Sequence, residues 1–281
     1  MNLTITSKTT LNNKIAMPWF GLGTFLSEAG KTTQDAVHWA LEAGYRHIDT
    51  ARIYNNEEDV GLAISESSVP RSDIYITTKV WNDDQGYEAA LRACDESLKR
   101  LKIDYVDLYL MHWPVSGLRN ETWKALIRLQ QLGKTKAIGV SNFMIRHLDE
   151  LLAKTNIVPA VNQIELSPFI QRKQLVAYCR NKGIVVESYS TLSRGKRCSD
   201  ERLAAIGNKY GKTAAQIALR WALQSEIVII PKSVHKERII ENASIFDFEI
   251  SAADMATINA LDENFSVTPK SWDPETSDKW V

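Results

Sequence analysis

Eight short β-type runs alternate with helix-length amphipathic runs along this chain. The β-type runs are WFGLGT (19–24), RHIDT (46–50), IYITTKV (74–80), YVDLYLMH (105–112), AIGVS (137–141), AVNQIEL (160–166), IVVESYS (184–190) and IVIIP (227–231). Connections of helix length favour parallel strands with right-handed crossovers, because a tight turn cannot join parallel neighbours. Eight such units predict an α/β fold, a (β/α)8 TIM barrel. A doubly wound open sheet is the alternative, since a sequence shows strand number but not closure.

Several segments between these runs have helical periodicity. They include TTQDAVHWALEAG, YEAALRACDESLKRL, NETWKALIRLQQLG, RKQLVAYCRNKG and TAAQIALRWALQ. Glycines that favour a helix C-terminus end some of them, at Gly44, Gly133 and Gly183. The polar N-terminal segment predicts a β-hairpin that turns at Asn12-Asn13. No linker or low-complexity block divides the chain, so we expect one domain over residues 1–281.

The C-terminal region is expected to hold one more helix and a tail. The helix is SAADMATINAL (251–261), and the polar tail ends in SWDPETSDKWV. Such tails are usually frayed termini. The two tryptophans of the tail, Trp272 and Trp280, make a covering role the alternative.

The amino-acid composition of the chain indicates which classes of binding partner it does not favour. Lys plus Arg and Asp plus Glu each number 34, so the formal net charge is zero. This balance argues against nucleic acid or an anionic membrane as the main partner. Cys94, Cys179 and Cys198 have no metal-type spacing and suggest reduced thiols. The N-terminus lacks a signal-peptide core and no run reaches about 18 apolar residues, so we expect a cytoplasmic protein.

Chemically useful residues stand at the C-terminal ends of nearly all the strands. They are Thr24 and Phe25, Asp49, Lys79, His112, Ser141 and Asn142, Gln163, Tyr189 and Lys232. In a closed barrel these ends form one face, where barrel enzymes keep their active sites. Each residue alone has an ordinary structural explanation, such as a buried ion pair or a helix cap. Their shared placement favours a single site.

Four residues suit the protonation of an oxygen. A tyrosine with a pKa of about 10 is a weak acid at neutral pH. A nearby ammonium lowers that pKa, and a carboxylate fixes the ammonium. Asp49, Lys79 and Tyr54 supply these parts, and His112 can point an N–H at a carbonyl oxygen. This is half of a carbonyl reduction, and the hydride of the other half requires a reduced cofactor.

The segment IPKSVHKERIIEN (230–242) suggests an anion site. Lys232, Ser233 and Arg238 lie before and within a helix that starts near His235, and helix N-termini attract anions. An ordinary basic helix start is the alternative. The segment GLGT (21–24) lacks the third glycine of the GxGxxG fingerprint, so a nicotinamide cofactor would not bind here in the Rossmann manner.

The chain resembles the aldo-keto reductases, and most closely their compact microbial type, from about residue 10 to 262. The stretches GYRHIDTARIYNNEEDVG (44–61), KAIGVSNF (136–143) and IPKSVHKERIIEN (230–242) carry the resemblance, and MPWFGLGTF, TTKVW and LYLMHWP fit it. It implies a (β/α)8 barrel whose bottom an N-terminal hairpin closes, with NADPH extended across the top. A monomer without a metal is expected.

The resemblance also implies a role for each site residue. Tyr54 is the proton donor, Lys79 and Asp49 tune its pKa, and His112 orients the substrate. Cofactor contacts are expected from Thr24, Asp49, Ser141, Asn142, Gln163, Tyr189, Lys232, Ser233, Arg238, Glu241 and Asn242. Within this set, Ser141, Asn142 and Gln163 match residues that hold the nicotinamide carboxamide, and Tyr189 matches the aromatic under its ring. The two cations with a hydroxyl favour a 2′-phosphate, and so NADPH over NADH.

Departures from the family pattern lie around the substrate. Phe25 stands where many members carry Trp, in a wall with Trp81 and Trp113. The link after His112 is short, and the stretch 190–200 after Tyr189 lacks the usual Pro and Gly-rich loop. A short rim predicts an open pocket with broad specificity for small aldehydes, 2-oxoaldehydes or keto sugars.

The sequence favours an oxidoreductase acting on CH–OH groups, and two other functions are the alternatives. A lyase would use Lys79 as a Schiff-base nucleophile, but the adjacent Asp49 argues against it because a paired carboxylate keeps the lysine protonated. A cofactor-binding protein with a regulatory role would be marked by loss of a catalytic residue. All four are present.

Overall fold

The structure is a computed structural model that describes residues 3–280. The strands are β1 Lys8–Thr10, β2 Ala16–Pro18, β3 Leu22–Gly23, β4 His47–Asp49, β5 Tyr75–Val80, β6 Val106–Met111, β7 Thr135–Ser141, β8 Val161–Glu165, β9 Val185–Tyr189 and β10 Val228–Ile229. The helices are α1 Lys31–Glu42, α2 Glu57–Glu66, α3 Tyr87–Leu101, α4 Arg119–Gln131, α5 Ile145–Leu152, α6 Lys173–Asn181, α7 Glu201–Tyr210, α8 Ala214–Gln224, α9 Lys236–Ala243 and α10 Ala252–Asn259.

Strands β3 to β10 form one parallel eight-stranded sheet whose spatial order follows the chain order. Its two edges approach each other, because a parallel bridge joins Phe20 to Ile229. Gly21 N donates to Ile229 O at 2.9 Å, and Ile229 N donates to Trp19 O at 3.0 Å. The sheet is therefore curled, as in (β/α)8 folds. The doubly wound alternative is wrong, because that fold requires strand order to reverse at a switch point.

A hydrogen bond across the inside of the sheet also shows that the sheet is curled. Asp49 on β4 and Gln163 on β8 are separated by three intervening strands. The Gln163 Nε2 atom nevertheless lies 2.8 Å from Asp49 Oδ2. Only a curled sheet brings these strands so close, and the polar residues at the strand ends meet inside it.

The N-terminal hairpin forms as predicted. Strands β1 and β2 pair antiparallel, with Lys8 opposite Pro18, and the turn contains Asn12 and Asn13. Asn13 Nδ2 donates to Lys136 O at 3.0 Å, and Asn12 Nδ2 donates to the carbonyl just before β8 at 3.0 Å. The hairpin turn thus contacts the N-terminal ends of β7 and β8, opposite the ends that carry the polar residues.

Burial of the strands on both faces fits helices packed around a parallel sheet. Every residue of β5, β6 and β8 is buried. The five internal helices named from sequence are present, as is the C-terminal helix, while α5 and α7 were not singled out. Among the described residues, every helix is too short or too polar to cross a membrane.

Candidate active site

A buried ion pair lies where β4 and β5 end. Lys79 Nζ donates to Asp49 Oδ1 at 2.6 Å, to Asp49 Oδ2 at 2.8 Å and to Thr50 O at 2.9 Å. These acceptors take all three hydrogens of an ammonium. Burial raises the pKa of Asp49, but hydrogen bonds from Lys79 and Gln163 stabilise its carboxylate form. Three hydrogen bonds therefore fix the position of Lys79 Nζ beside the Asp49 carboxylate.

Tyr54 lies beside this pair. It ends a 3-10 turn, Arg52–Tyr54, that follows β4, and Asn55 then reverses the chain with a φ of 56°. The Tyr54 hydroxyl oxygen lies 3.5 Å from Lys79 Nζ, which is long for a hydrogen bond, so the ammonium acts mainly through its charge. The structure thus brings Tyr54 together with Lys79 and Asp49.

The direction of the Tyr54 pKa shift differs from the expectation. Burial disfavours the phenolate, and the negative charge of Asp49 adds to this effect, so the pKa of Tyr54 is held well above 10. The Arg194 guanidinium acts in the opposite direction. The expected lowering of the Tyr54 pKa by Lys79 is therefore wrong, and Tyr54 is protonated at neutral pH.

His112, just after β6, faces Tyr54 and Trp81. Ring centroids lie 5.7 Å from Tyr54 and 5.2 Å from Trp81. Burial, aided by the charge of Lys79, holds the pKa of His112 well below 6.5, so the ring is neutral. Its Nδ1 has no hydrogen-bond partner within residues 3–280. A neutral imidazole carries one ring N–H, which can orient an oxygen without adding charge to the site.

Asn142 ties three site residues together. Its φ is 63°, a left-handed conformation that turns the chain sharply after β7. Its Nδ2 donates to His112 O at 3.0 Å and to Ser141 Oγ at 3.1 Å, while its Oδ1 accepts from the Tyr189 hydroxyl at 2.7 Å. Asn142 therefore fixes Tyr189 and the backbone at His112.

Gln163 on β8 and Thr24, which directly follows β3, both contact Asp49. Gln163 Nε2 donates to Asp49 Oδ2 and to Glu187 Oε2, both at 2.8 Å, so a ligand contact would fall to its side-chain oxygen. Thr24 Oγ1 donates to Asp49 O at 3.0 Å. Ser141 Oγ donates to Gln163 O at 2.9 Å. These contacts stiffen the carboxylate side of the site.

The predicted anion site lies before and along α9. His235 precedes this helix and gives it no side-chain cap, so first-turn N–H groups lack that partner. Partial burial lowers the pKa of Lys232, with Glu28 acting oppositely, and Arg238 is exposed. Ser233 is buried and accepts a hydrogen bond from His235 N at 3.1 Å. Two cations and an uncapped helix start fit a bound phosphate.

The two remaining predicted cofactor residues lie near the end of α9. Asn242 is buried, and Glu241 is half-buried. Glu241 Oε1 accepts a hydrogen bond from Thr213 Oγ1 at 2.8 Å. This contact fixes the carboxylate at the far end of the helix from Lys232.

Aromatic rings surround the space beside Tyr54 and His112. The Phe25 ring lies 5.1 Å from Tyr54, and Trp81 and Trp113 lie 6.0 and 5.1 Å from Trp272 of the tail. Phe25 is 42% exposed. The wall predicted from sequence is thus extended by the C-terminal tail.

The tail is fixed by its last described residue. The Trp280 indole stacks on Trp113, with centroids 4.9 Å apart and 15° between the ring planes. Its carbonyl accepts from Arg119 Nη1 at 2.9 Å and lies 3.1 Å from His147 Nε2. The tail therefore covers part of the aromatic wall.

Sequence reasoning missed Glu187, Arg194 and Arg119. A glutamate inside the apolar run IVVESYS was a signal for Glu187, because charged residues seldom lie within buried strands. The Arg194 guanidinium lies 5.3 Å from the centre of Phe25 and bridges two loops of the site. Arg119 contacts Trp280, 161 positions away, and no local pattern signals such a contact.

Within residues 3–280, no group of three or more His, Cys, Asp or Glu side chains is arranged so that it could hold a metal ion.

Comparison with known proteins identifies similar chains. Residues 20–263 match the model of the Aldo/keto reductase family. Glyoxal reductase of Bacillus subtilis (strain 168) is 51% identical over 259 residues, covering 92% of this chain and 94% of that protein. The 9,11-endoperoxide prostaglandin H2 reductase of Trypanosoma cruzi (strain CL Brener) is 46% identical over 258 residues, covering 91% of each.

A solved structure extends the likeness to the fold. The crystal structure of an aldo-keto reductase of Bombyx mori in complex with NADP has a TM-score of 0.91 to this chain at 37% identity. The match covers 99% of both chains.

Proposed function

This chain belongs to the aldo/keto reductase family, and from that premise we propose that it reduces small aldehydes and ketones to alcohols with NADPH. The observation that carries the proposal is the cluster of Tyr54, His112 and the Asp49–Lys79 ion pair at the ends of three strands. A proton donor, a neutral orienting ring and a fixed cation meet beside an aromatic pocket.

Tyr54 transfers its phenolic proton to the carbonyl oxygen of the substrate. NADPH, when bound, supplies the hydride that makes this oxygen negative. The resulting alkoxide is a stronger base than a phenolate, so proton transfer from Tyr54 is favourable even though burial raises the pKa of Tyr54. Lys79 stabilises the phenolate by its charge, and water restores the proton afterwards.

His112 directs the carbonyl oxygen toward Tyr54. Because burial and Lys79 hold its pKa low, the ring stays neutral and one nitrogen can donate a hydrogen bond. Its ring faces that of Tyr54 nearly edge-on, at 77°. An oxygen between the two rings can receive hydrogen bonds from both.

The residues that would hold NADPH form two groups. The nicotinamide end is assigned to Thr24, Asp49, Ser141, Asn142, Gln163 and Tyr189. The 2′-phosphate and adenine end is assigned to Lys232, Ser233, Arg238, Glu241 and Asn242. Support comes from the cations near the uncapped start of α9, because a phosphate there gains charge-assisted hydrogen bonds that a ribose hydroxyl cannot make. NADPH is therefore preferred over NADH.

The pocket favours small substrates of varied shape. Phe25, Trp81, Trp113 and Trp272 supply apolar walls, and their contacts carry little directional specificity. We assign aldehydes, 2-oxoaldehydes and keto sugars as the substrate class. The names of the relatives, a glyoxal reductase and a prostaglandin endoperoxide reductase, agree with a family site that accepts diverse compounds.

The finer features of the fold belong to the same proposal. The curled sheet acts as a closed barrel over a single domain, the hairpin covers its bottom, and the tail borders the substrate pocket. Contacts of Asn12 and Asn13 with the strand starts, and of Trp280 with Trp113, support this arrangement. We expect a cytoplasmic monomer.

A Schiff-base lyase is disfavoured by the surroundings of Lys79. A nucleophilic amine needs a free lone pair, whereas three oxygens accept hydrogens from Nζ within 2.9 Å. A role in binding without catalysis predicts no turnover of any carbonyl.

The test is NADPH oxidation, followed by absorbance, with methylglyoxal, glyceraldehyde and a nitrobenzaldehyde. Turnover with several of these carbonyls, and weaker turnover with NADH, is expected. Tight NADPH binding without oxidation in the presence of every carbonyl would favour the binding role.

A further inference from the structure

A second carboxylate lies behind the Asp49–Lys79 pair. Glu187 is fully buried on β9, directly opposite Gln163 of β8 in the register of the sheet. Gln163 Nε2 donates to Glu187 Oε2 and to Asp49 Oδ2 with the same distance of 2.8 Å. An unbroken chain of hydrogen bonds therefore runs from Glu187 through Gln163 and Asp49 to Lys79.

The other carboxylate oxygen of Glu187 accepts no hydrogen bond from the described residues. Glu187 Oε1 has no hydrogen-bond partner within residues 3–280. His47 Nε2 lies 3.7 Å away, beyond hydrogen-bond distance, and contacts Thr77 Oγ1 at 3.0 Å instead. His47 is tightly confined, since a Cβ at Gly21 would lie 2.7 Å from its Cγ. A buried carboxylate with a single donor is costly, so this environment favours the neutral acid.

The charges around Glu187 favour the same state. The titratable groups that act on it or feel its charge are His47, Asp49, Tyr54, Tyr75 and Lys79. Lys79 is the cation of this set, and Asp49 already pairs with it; burial lowers the pKa of His47 to about 3, so His47 is neutral. Burial, followed by the charge of Asp49, raises the pKa of Glu187 to about 8.

We propose that Glu187 is a positioning residue which, as a neutral acid, fixes Gln163 and through it the Asp49–Lys79 pair, and that loss of its proton weakens the site. The consequence for catalysis rests on the proposed reductase function. Ionised Glu187 places a second buried negative charge on the Gln163 amide that already donates to Asp49, and the two carboxylates repel each other. Its charge also raises the pKa of Tyr54 further, which makes Tyr54 a weaker acid.

The protonation state is tested without any cofactor or turnover. Infrared difference spectra between the parent and Glu187→Gln are recorded as the pH is raised through about 8. The parent is expected to lose the carbonyl stretch of a protonated carboxylic acid and to gain carboxylate bands, with the acid stretch missing from the variant. Carboxylate bands already present at neutral pH would overturn the proposal, whether or not the protein is a reductase.

The positioning role is tested by the pH profile of kcat in carbonyl reduction. Glu187→Gln, which keeps an oxygen for the Gln163 amide, should stay within about threefold of the parent at neutral pH. It should also lack the fall in kcat expected for the parent above about pH 8. Glu187→Leu leaves one N–H of Gln163 without an acceptor, so its kcat should be about tenfold lower at every pH.

The positioning role would be overturned if kcat fell above about pH 8 in Glu187→Gln as it does in the parent. An unchanged kcat in Glu187→Leu would overturn it as well. The Tyr54 pKa lies well above 10, so its own titration is separate.

Discussion

The Lys79 ammonium nitrogen lies 3.5 Å from the Tyr54 hydroxyl oxygen, whereas it lies 2.6–2.9 Å from three other oxygens. Lys79 thus acts on Tyr54 by its charge and not by a strong hydrogen bond. Burial favours the phenol form of Tyr54, and the positive charge of Lys79 becomes useful when the phenolate forms. This difference between the two states is what transition-state stabilisation requires.

Removing that charge should slow the chemical step. Lys79→Met is expected to lower kcat about 100- to 1000-fold, because the phenolate loses its stabilising cation. The dissociation constant for NADPH should change little. Lys31→Met, which removes a lysine that is exposed and paired with Asp35, is the matched control. A kcat within about fivefold of the parent would contradict a role for the Lys79 charge in proton transfer.

Stability should depend on both members of the buried pair. Asp49→Asn or Lys79→Met alone should lower the free energy of unfolding by about 3–5 kcal/mol, because a buried charge is left without its partner. The double variant should lose less than the sum. Urea unfolding of the four proteins gives the coupling energy, and the exposed Lys31–Asp35 pair should give less than about 1 kcal/mol. Additive losses at Asp49 and Lys79 would show that the pair is not coupled.

The stack of Trp280 on Trp113 should control substrate binding through the tail. Trp280→Ala is expected to raise KM for an aromatic aldehyde about tenfold, with kcat nearly unchanged, because Trp272 loses its support in the pocket wall. Glu275→Ala, at an exposed position of the same tail, keeps the stack and should change KM far less. Equal effects in both variants would mean that the stack does not organise the wall.

The cations beside α9 should distinguish the two nicotinamide cofactors. Arg238→Ala is expected to weaken NADPH binding about 10- to 100-fold through loss of charge-assisted hydrogen bonds to the 2′-phosphate. NADH binding should stay close to that of the parent. Lys236→Ala is the control, since this lysine lies 3.6 Å from Glu42. Isothermal titration measures both constants, and equal weakening of NADPH and NADH would rule out the phosphate contact.

Acid should destabilise the protein through its buried histidines. Burial lowers the pKa of His47 to about 3, that of His147 to about 4, and that of His112 well below 6.5. The unfolded chain binds these protons first, so the stability they contribute is present above about pH 6.5 and is lost as pH falls toward the folded values. Each histidine adds up to about 1.4 kcal/mol per pH unit.

Urea unfolding between neutral pH and about pH 4.5 measures this slope. His147→Asn should reduce it. A slope as steep in His147→Asn as in the parent would contradict the downward shift of the His147 pKa.

The fold was predictable because its signals are local. Each strand of the curled sheet shows its β-type composition, and helix-length links require parallel pairing. Closure was not predictable from pattern alone, since the bridge between Phe20 and Ile229 joins distant segments. The contacts of Trp280 in the tail were not predictable either, because they also join segments that are distant in the sequence.

The sequence predicted which residues lie together in the candidate site better than it predicted their pKa shifts. Asp49, Lys79 and Tyr54 were identified by strand-end position and resemblance, and they lie together in the structure. The sign of the Tyr54 shift was wrong because it depends on burial and on the relative distances to Asp49 and Lys79. Glu187 was missed because a strand pattern does not reveal which buried side chains touch.

Proton donation by Tyr54 is the step on which the proposed reduction depends, and single-turnover oxidation of bound NADPH with saturating methylglyoxal, in the parent and in Tyr54→Phe, measures that step. The chemical rate in Tyr54→Phe is expected to fall at least about 100-fold, with the NADPH dissociation constant within about threefold of the parent. A rate in Tyr54→Phe within about tenfold of the parent would show that another group is the acid.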